Sequence, residues 1–122
     1  MKKNKYIIVF VTVPDKKTAD KIIKNVLEKR LAACVNIIKN LDSFYWWKGK
    51  TEHSQELLLI MKTVKSKFSS LEKYVKAAHP YEVPEIISAE ISLGSKEYLD
   101  WIEEYTRKAI TNYELRITDK RR

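Results

Sequence analysis

Cys34, His79, His53 and the carboxylates around them are the residues of this chain whose types could do chemistry. Cys34 is the only cysteine. It stands in the apolar run Ala33-Cys34-Val35-Asn36-Ile37-Ile38, where it reads either as a small buried hydrophobe or as a thiolate serving as metal ligand or nucleophile. A lone cysteine excludes an internal disulfide and a cysteine-rich zinc site. His79 opens the segment His79-Pro80-Tyr81-Glu82-Val83-Pro84-Glu85. Two prolines stiffen this loop, and it presents an imidazole, a phenol and two carboxylates. It reads as a ligand site or as a rigid connector with exposed charges. His53, beside Glu52, reads as a surface residue near a hairpin tip. There is no HExxH pair, paired-cysteine motif, P-loop, GxGxxG or nucleophile elbow. What the residue types offer is a metal site of mixed N, O and S donors. No arrangement for catalysis stands out.

These residues need elements to position them. Tyr6 to Val13 is a β-branched and aromatic run, a strand apolar on both faces. Pro14 breaks it, and Asp15 is placed to cap a helix. Ala19, Ile22, Ile23, Val26 and Leu27 recur at helical spacing, so an amphipathic helix reaches about Arg30, with Asp20 and Lys24 as an i,i+4 pair. Ala33 to Ile38 is the second strand. Asn40-Leu41-Asp42-Ser43 interrupts it as a bend or bulge, and Phe44 to Trp47 continues it. Gly49 marks the reversal into a third strand over about Thr51 to Thr63. Ser66 is placed to cap a second helix with Phe68, Leu71, Tyr74, Val75 and Ala78 inward and Glu72–Lys76 outside. Val83 to Leu93 alternates as a fourth strand, with Ile87, Ala89 and Ile91 on one face. Gly94-Ser95 leads to a third helix with Tyr98, Leu99, Ile102 and Tyr105 inward. Tyr113, Leu115 and Ile117 suggest an edge strand in the tail.

The order βαββαβ, then a helix and a tail, is the ferredoxin-like pattern of a split βαβ unit, an α+β fold. The whole chain, residues 1–122, forms one such domain, with a core over about 6–107 and a tail over 108–122. Strands 1 and 3 are central in this topology and strands 2 and 4 are edges. Both helices cover one sheet face, so the other face of a monomer should be polar. Strands 1, 2 and 3 are instead apolar on both sides, and strand 2 leads into Phe44, Tyr45, Trp46 and Trp47. Such an edge aggregates unless it is covered. The expectation is a homo-oligomer that buries this face through those four aromatics. The alternative is cover by the third helix and tail of the same chain.

Length and composition agree with one domain and one core. The chain has 122 residues, 44% hydrophobic and 33% charged, as in ordinary globular proteins. No apolar run approaches the roughly 20 residues needed to cross a bilayer, and no cleavage site follows the apolar N-terminal run. The expectation is a cytoplasmic protein without a membrane partner. The net charge is +8, but six of the 24 basic residues lie in segments 1–5 and 119–122. The body between them carries 18 basic and 15 acidic residues. That even balance argues against a specific nucleic-acid partner, which would call for a dense basic face.

Several stretches together carry a resemblance. They are Val11-Thr12-Val13-Pro14-Asp15, Glu28-Lys29-Arg30-Leu31-Ala32-Ala33-Cys34-Val35-Asn36 and Tyr45-Trp46-Trp47-Lys48-Gly49-Lys50-Thr51-Glu52. Lys62-Thr63, the His79 to Glu85 segment and Tyr98-Leu99-Asp100-Trp101-Ile102 continue the match in order. The chain resembles the CutA family, the divalent-cation tolerance proteins, over about Ile7 to Tyr105. The resemblance implies a homotrimer of ferredoxin-like subunits joined through their long hairpins, and a link to Cu(II) or another divalent cation. It implies metal ligands at Cys34 and His79, with Glu52 and Tyr81 as further candidates. These would line a cleft between neighbouring subunits. Thiolate and imidazole suit copper, with a carboxylate or water completing the site. Some family members carry a second cysteine where this chain has Val11, so a two-thiolate site within one subunit is impossible here.

Three readings follow. The leading one is a non-enzymatic homotrimer that binds divalent metal ions, copper favoured, and contributes to metal-ion tolerance. The second is a small-molecule sensor resembling the trimeric PII regulators, with Lys50 or Lys62 as counter-charge to an anionic ligand and Tyr81 and Glu85 in the cleft. The third is a trimeric anchor or scaffold. An acylphosphatase-like enzyme on this fold has no support from the first strand-to-helix loop, Pro14-Asp15-Lys16-Lys17-Thr18.

Overall fold

A computed structural model describes residues 5–107. The tail strand expected around Tyr113, Leu115 and Ile117 lies outside the described residues. The elements are β1 (Tyr6–Val13), α1 (Lys16–Glu28), β2 (Cys34–Trp47), β3 (Lys50–Val64), α2 (Phe68–Ala78), β4 (Ile86–Glu90) and α3 (Lys96–Arg107). The sheet has the order β2-β3-β1-β4 with every neighbour antiparallel. This is the expected ferredoxin-like α+β arrangement, with β1 and β3 in the middle.

Local chemistry explains the boundaries. The Asp15 side chain accepts the Thr18 amide hydrogen bond at 2.8 Å and starts α1. That bond holds the Asp15 carboxyl below its ordinary range. The helix ends at Glu28, two residues before the expected Arg30, because Arg30 takes a left-handed φ of 61°. The Leu31 amide then bonds the Val26 carbonyl at 2.9 Å and the Arg30 amide bonds Leu27 at 3.1 Å. This Schellman closure turns Leu31 back into the core against Val26. The outer face of α1 pairs Lys16 with Asp20 and Lys24 with Glu28, in place of the expected Asp20–Lys24 pair. The expected Glu72–Lys76 pair is present on α2. Ser66 does not cap α2. It sits in a 3-10 turn over Lys65–Lys67, and α2 begins without a side-chain cap.

The β2–β3 hairpin is one continuous ribbon of 14 and 15 residues. Lys48 and Gly49 have φ of 51° and 81° and close it between Trp47 and Lys50. Two positive φ values in a two-residue loop make a type I′ turn, whose twist matches the strands. The expected interruption is a β-bulge. Ile38 faces Leu58 and Leu41 faces Glu56, so Lys39 and Asn40 together oppose one residue of β3. Asn40, at φ 59°, supplies the left-handed bend. The extra residue shifts the alternation of β2 by one. Cys34, Asn36 and Ile38 share a sheet side with Leu41, Ser43, Tyr45 and Trp47, and Phe44 and Trp46 go to the other side. Asn40→Val is expected to destabilise the hairpin by about 1–2 kcal/mol, because a β-branched residue resists this conformation. Thermal unfolding would show it, and an unchanged melting temperature would refute the strain argument.

The core lies between α1, α2 and one sheet face. Ile7, Val9, Val11 and Val13 of β1 and Leu59 and Met61 of β3 meet Ile22, Val26, Leu71 and Val75. The opposite face carries Ile8 and Phe10 of β1, Leu58 and Ile60 of β3, Ile38 of β2 and Ile87 of β4. The helix α3 covers one end of this face, where Glu103 accepts hydrogen bonds from Lys5 at 2.6 Å and Tyr6 at 3.1 Å. The rest stays open, and Ile38 and Ile87 are about half exposed. Cover by α3 is therefore partial. The strand β4 spans Ile86–Glu90 alone, shorter than the expected Val83 to Leu93. Val83, Pro84 and Glu85 stay in the loop, because Pro84 has no amide hydrogen to give a ladder.

Candidate functional site

The long hairpin projects past the end of β1, and the loop from His79 to Glu85 packs beside its base. Between them lies a groove of about 840 Å³. Its walls include Tyr45, Trp47, Tyr81 and Val83, and its acidic groups are Asp42, Glu56, Glu82 and Glu85. No lysine or arginine lines it.

Glu56 forms the groove's inner end. It is 5% exposed, and the Tyr81 hydroxyl donates to its Oε2 at 2.8 Å. Burial first, and this hydrogen bond second, push the Tyr81 phenol well above its ordinary pKa, so it stays a donor at neutral pH. Residue-by-residue reading missed Glu56, which looks like one of 16 acidic residues. The available signal was its position, the last charge before Leu57-Leu58-Leu59-Ile60-Met61.

His79 holds this loop in place. It is 7% exposed. Its Nε2–H donates to the Thr12 carbonyl at 2.7 Å, and the Tyr81 amide donates to its Nδ1 at 3.1 Å. The network assigns the neutral tautomer with the proton on Nε2. Both ring nitrogens are thereby occupied by backbone groups, and neither offers a free lone pair to a metal within the chain. The ring also lies 4.7 Å from that of Tyr81.

Cys34 is elsewhere. It starts β2 on the open sheet face, opposite Lys62. Thr12, the partner of His79, is opposite Leu58. Four residues along the strand and two strand spacings across the sheet separate the two positions, about 16 Å. The thiol is half-buried and lies 3.9 Å from Asn36 Oδ1, which also accepts a hydrogen bond from Lys62. Glu52 is exposed on the projecting arm opposite Tyr45, and Lys50 is exposed beside the turn. Cys34, His79 and Glu52 therefore occupy three separate places in one chain. Among the described residues no group of three or more His, Cys, Asp or Glu side chains is close enough to hold a metal. Among the described residues, the donors of a single chain do not fit a metal centre. Of the groove candidates, Tyr81 and Glu85 line it, and Lys50 and Lys62 do not.

His53 belongs to a surface cluster, as expected. It stacks on Phe44 with ring centroids 4.4 Å apart, and its Nε2 is 3.3 Å from Asp42. The Gln55 amide, at 2.8 Å, and then His53 hold the Asp42 carboxyl below its ordinary range. Phe44 and Trp46 are each 75% exposed on this side of the arm, Tyr45 and Trp47 lie on the other, and all four border the groove.

Comparison with known proteins places these features in a family. Residues 7–105 match the family described as CutA1 divalent ion tolerance protein. The divalent-cation tolerance protein CutA of Thermus thermophilus is 50% identical over 99 residues, covering 81% of this chain and 96% of the relative. Protein CutA of the mouse is 45% identical over 97 residues, 80% of this chain. The chain spans only 55% of that longer relative. Among solved structures, the Thermus thermophilus protein superposes with a TM-score of 0.81 at 48% identity, covering 83% of this chain and 98% of that one. The CutA1 structure from Oryza sativa gives 0.83 at 40% identity, covering 89% and 100%. With the family matched over residues 7–105 and a relative 50% identical over 96% of its length, this protein belongs to the CutA1 family of divalent ion tolerance proteins.

Proposed function

We propose that the protein is a non-enzymatic homotrimer that binds divalent cations, copper favoured, and contributes to metal-ion tolerance. The observation that carries this reading is the open apolar sheet face with Cys34 on it, in a chain of a divalent ion tolerance family. Tyr45 and Trp47 extend that apolar surface along the hairpin arm, exposed Phe44 and Trp46 add a second patch on its other side, and trimer formation would bury both. Since the donors of one chain stand apart, the proposed metal site lies where subunits meet. Cys34 would supply its soft ligand and carboxylates such as Glu52 the remainder. His79 enters as a ligand only if one of its two backbone bonds opens. No helix among the described residues is long and apolar enough to cross a membrane. The cytoplasm is the proposed compartment, where a free thiol such as Cys34 persists.

An anion sensor finds less support, because carboxylates line the groove and Lys50 and Lys62 do not. Native mass spectrometry with a few equivalents of Cu(II) or Zn(II) tests the proposal. The expected result is a trimer taking up about one copper per subunit and less zinc, as the affinity order of N and S donors predicts. Cys34→Ser is expected to remove that copper. A trimer with equal copper uptake after this substitution would refute the assignment of Cys34.

A further inference from the structure

The groove between arm and loop is charged against the trend of the chain. The sequence holds 24 basic and 16 acidic residues, yet all four charged residues lining the groove are acidic. Three of them stand on its two banks, Asp42 on the arm and Glu82 and Glu85 on the loop. The arm adds its aromatic run from Phe44 to Trp47. Aromatic faces carry negative charge density and draw cations. Lys48, which does not line the groove, already sets its ammonium 5.7 Å from the centroid of the Trp47 ring. The inner end is Glu56, 5% exposed, whose Oε2 accepts from the Tyr81 hydroxyl. Among the described residues nothing bonds its Oε1, while every fully buried side-chain nitrogen or oxygen has a partner. The Oε1 is therefore an open hydrogen-bonding position, reached from the groove that Glu56 lines.

A ligand that suits these walls has an aliphatic stem to lie along the rings, a positive group for each bank, and N–H donors. We propose that the groove binds a linear aliphatic diamine or polyamine. Its ammonium groups meet Asp42 on one bank and Glu82 and Glu85 on the other. Its methylenes lie along Tyr45 and Trp47, and one N–H reaches Glu56. An anion would face four carboxyl groups and no basic side chain. A quaternary ammonium ion has no N–H to offer Glu56. A single metal ion lacks a place, since no three donors converge among the described residues. The volume of about 840 Å³ is that of a small-molecule site. The inference rests on the groove alone and goes beyond the proposed metal binding at Cys34.

Isothermal titration calorimetry on the full chain in its native assembly tests this, with spermidine as the probe. Hexanediol serves as the neutral control and tetramethylammonium as the cation without N–H. The expected result is saturable spermidine binding that weakens with added salt, weaker binding of tetramethylammonium, and none of hexanediol. A chain carrying Glu82→Gln and Glu85→Gln together is expected to bind spermidine about fivefold more weakly, as for two exposed charge contacts. Both side chains are exposed, so this variant should keep the far-UV circular dichroism of the parent. Unchanged affinity in it would overturn the inference, and so would hexanediol binding as tightly as spermidine. Absence of saturable binding would overturn it too, as when a neighbouring copy fills the groove in the proposed trimer. Native mass and copper uptake of the same variant should match the parent, so a failure here is distinguishable from a failure of the metal-binding trimer.

Discussion

A Trp46→Glu chain is expected to sediment as a monomer at concentrations where the parent forms the proposed trimer. Trp46 is 75% exposed on the arm, next to Phe44 with the same exposure. A tryptophan buries 150–250 Å², so covering the exposed part is worth about 3–5 kcal/mol per subunit at roughly 25 cal/mol per Å². Glutamate forfeits that gain and adds the cost of desolvating a charge. The loss corresponds to a weakening of association by about two orders of magnitude or more. The side chain lies outside the core, so the monomer should keep its helices and sheet. Sedimentation equilibrium and circular dichroism together check this. A trimer that survives Trp46→Glu would show that the outer side of the arm is not the interface.

His79→Ala is expected to destabilise the protein by about 2–4 kcal/mol, with metal absent. The imidazole satisfies two backbone groups, the Thr12 carbonyl and the Tyr81 amide, from a site only 7% exposed. Alanine leaves both unpaired, at about 1–3 kcal/mol each for a buried group, and opens a space beside the Tyr81 ring. For about 100 residues this lowers the melting temperature by roughly 10–20 °C. Tyr81 should lose its position over Glu56 with it. Melting in chelator separates a structural histidine from a metal ligand. If His79→Ala leaves chelated protein unchanged but abolishes copper uptake, the structural role assigned here is refuted.

Much of the fold was legible in the residues because local rules and global topology agree. The pattern of Ala19, Ile22 and Val26, the Asp15 cap, and the single glycine at the hairpin turn each specify one element through a few neighbours. The apolar runs of β1, β2 and β3, apolar on both sides, announced a sheet with too much apolar surface for one layer of helices. The Arg30 boundary, the Ser66 cap and the length of β4 were misplaced by a few residues. Each depends on backbone conformations that side-chain pattern reports weakly. The family resemblance likewise followed from short motifs in order.

The candidate site was harder to read, for a different physical reason. Cys34 and His79 are conspicuous by type, yet a ligand is defined by its free lone pairs and its neighbours. Sequence cannot show that both nitrogens of His79 are taken by Thr12 and Tyr81, residues 67 and 2 positions away. Nor can it show which side of the sheet each aromatic takes, because one left-handed residue, Asn40, shifts the alternation for all of Phe44 to Trp47. Glu56 is one carboxylate among many until Tyr81, 25 residues on, folds over it. The amino-acid sequence by itself determined the elements, their order and the apolar excess, since these follow from periodicity over adjacent residues. The tertiary structure alone decided which polar groups are buried, which are already partnered and which still lack a partner, because those properties arise from contacts between distant segments.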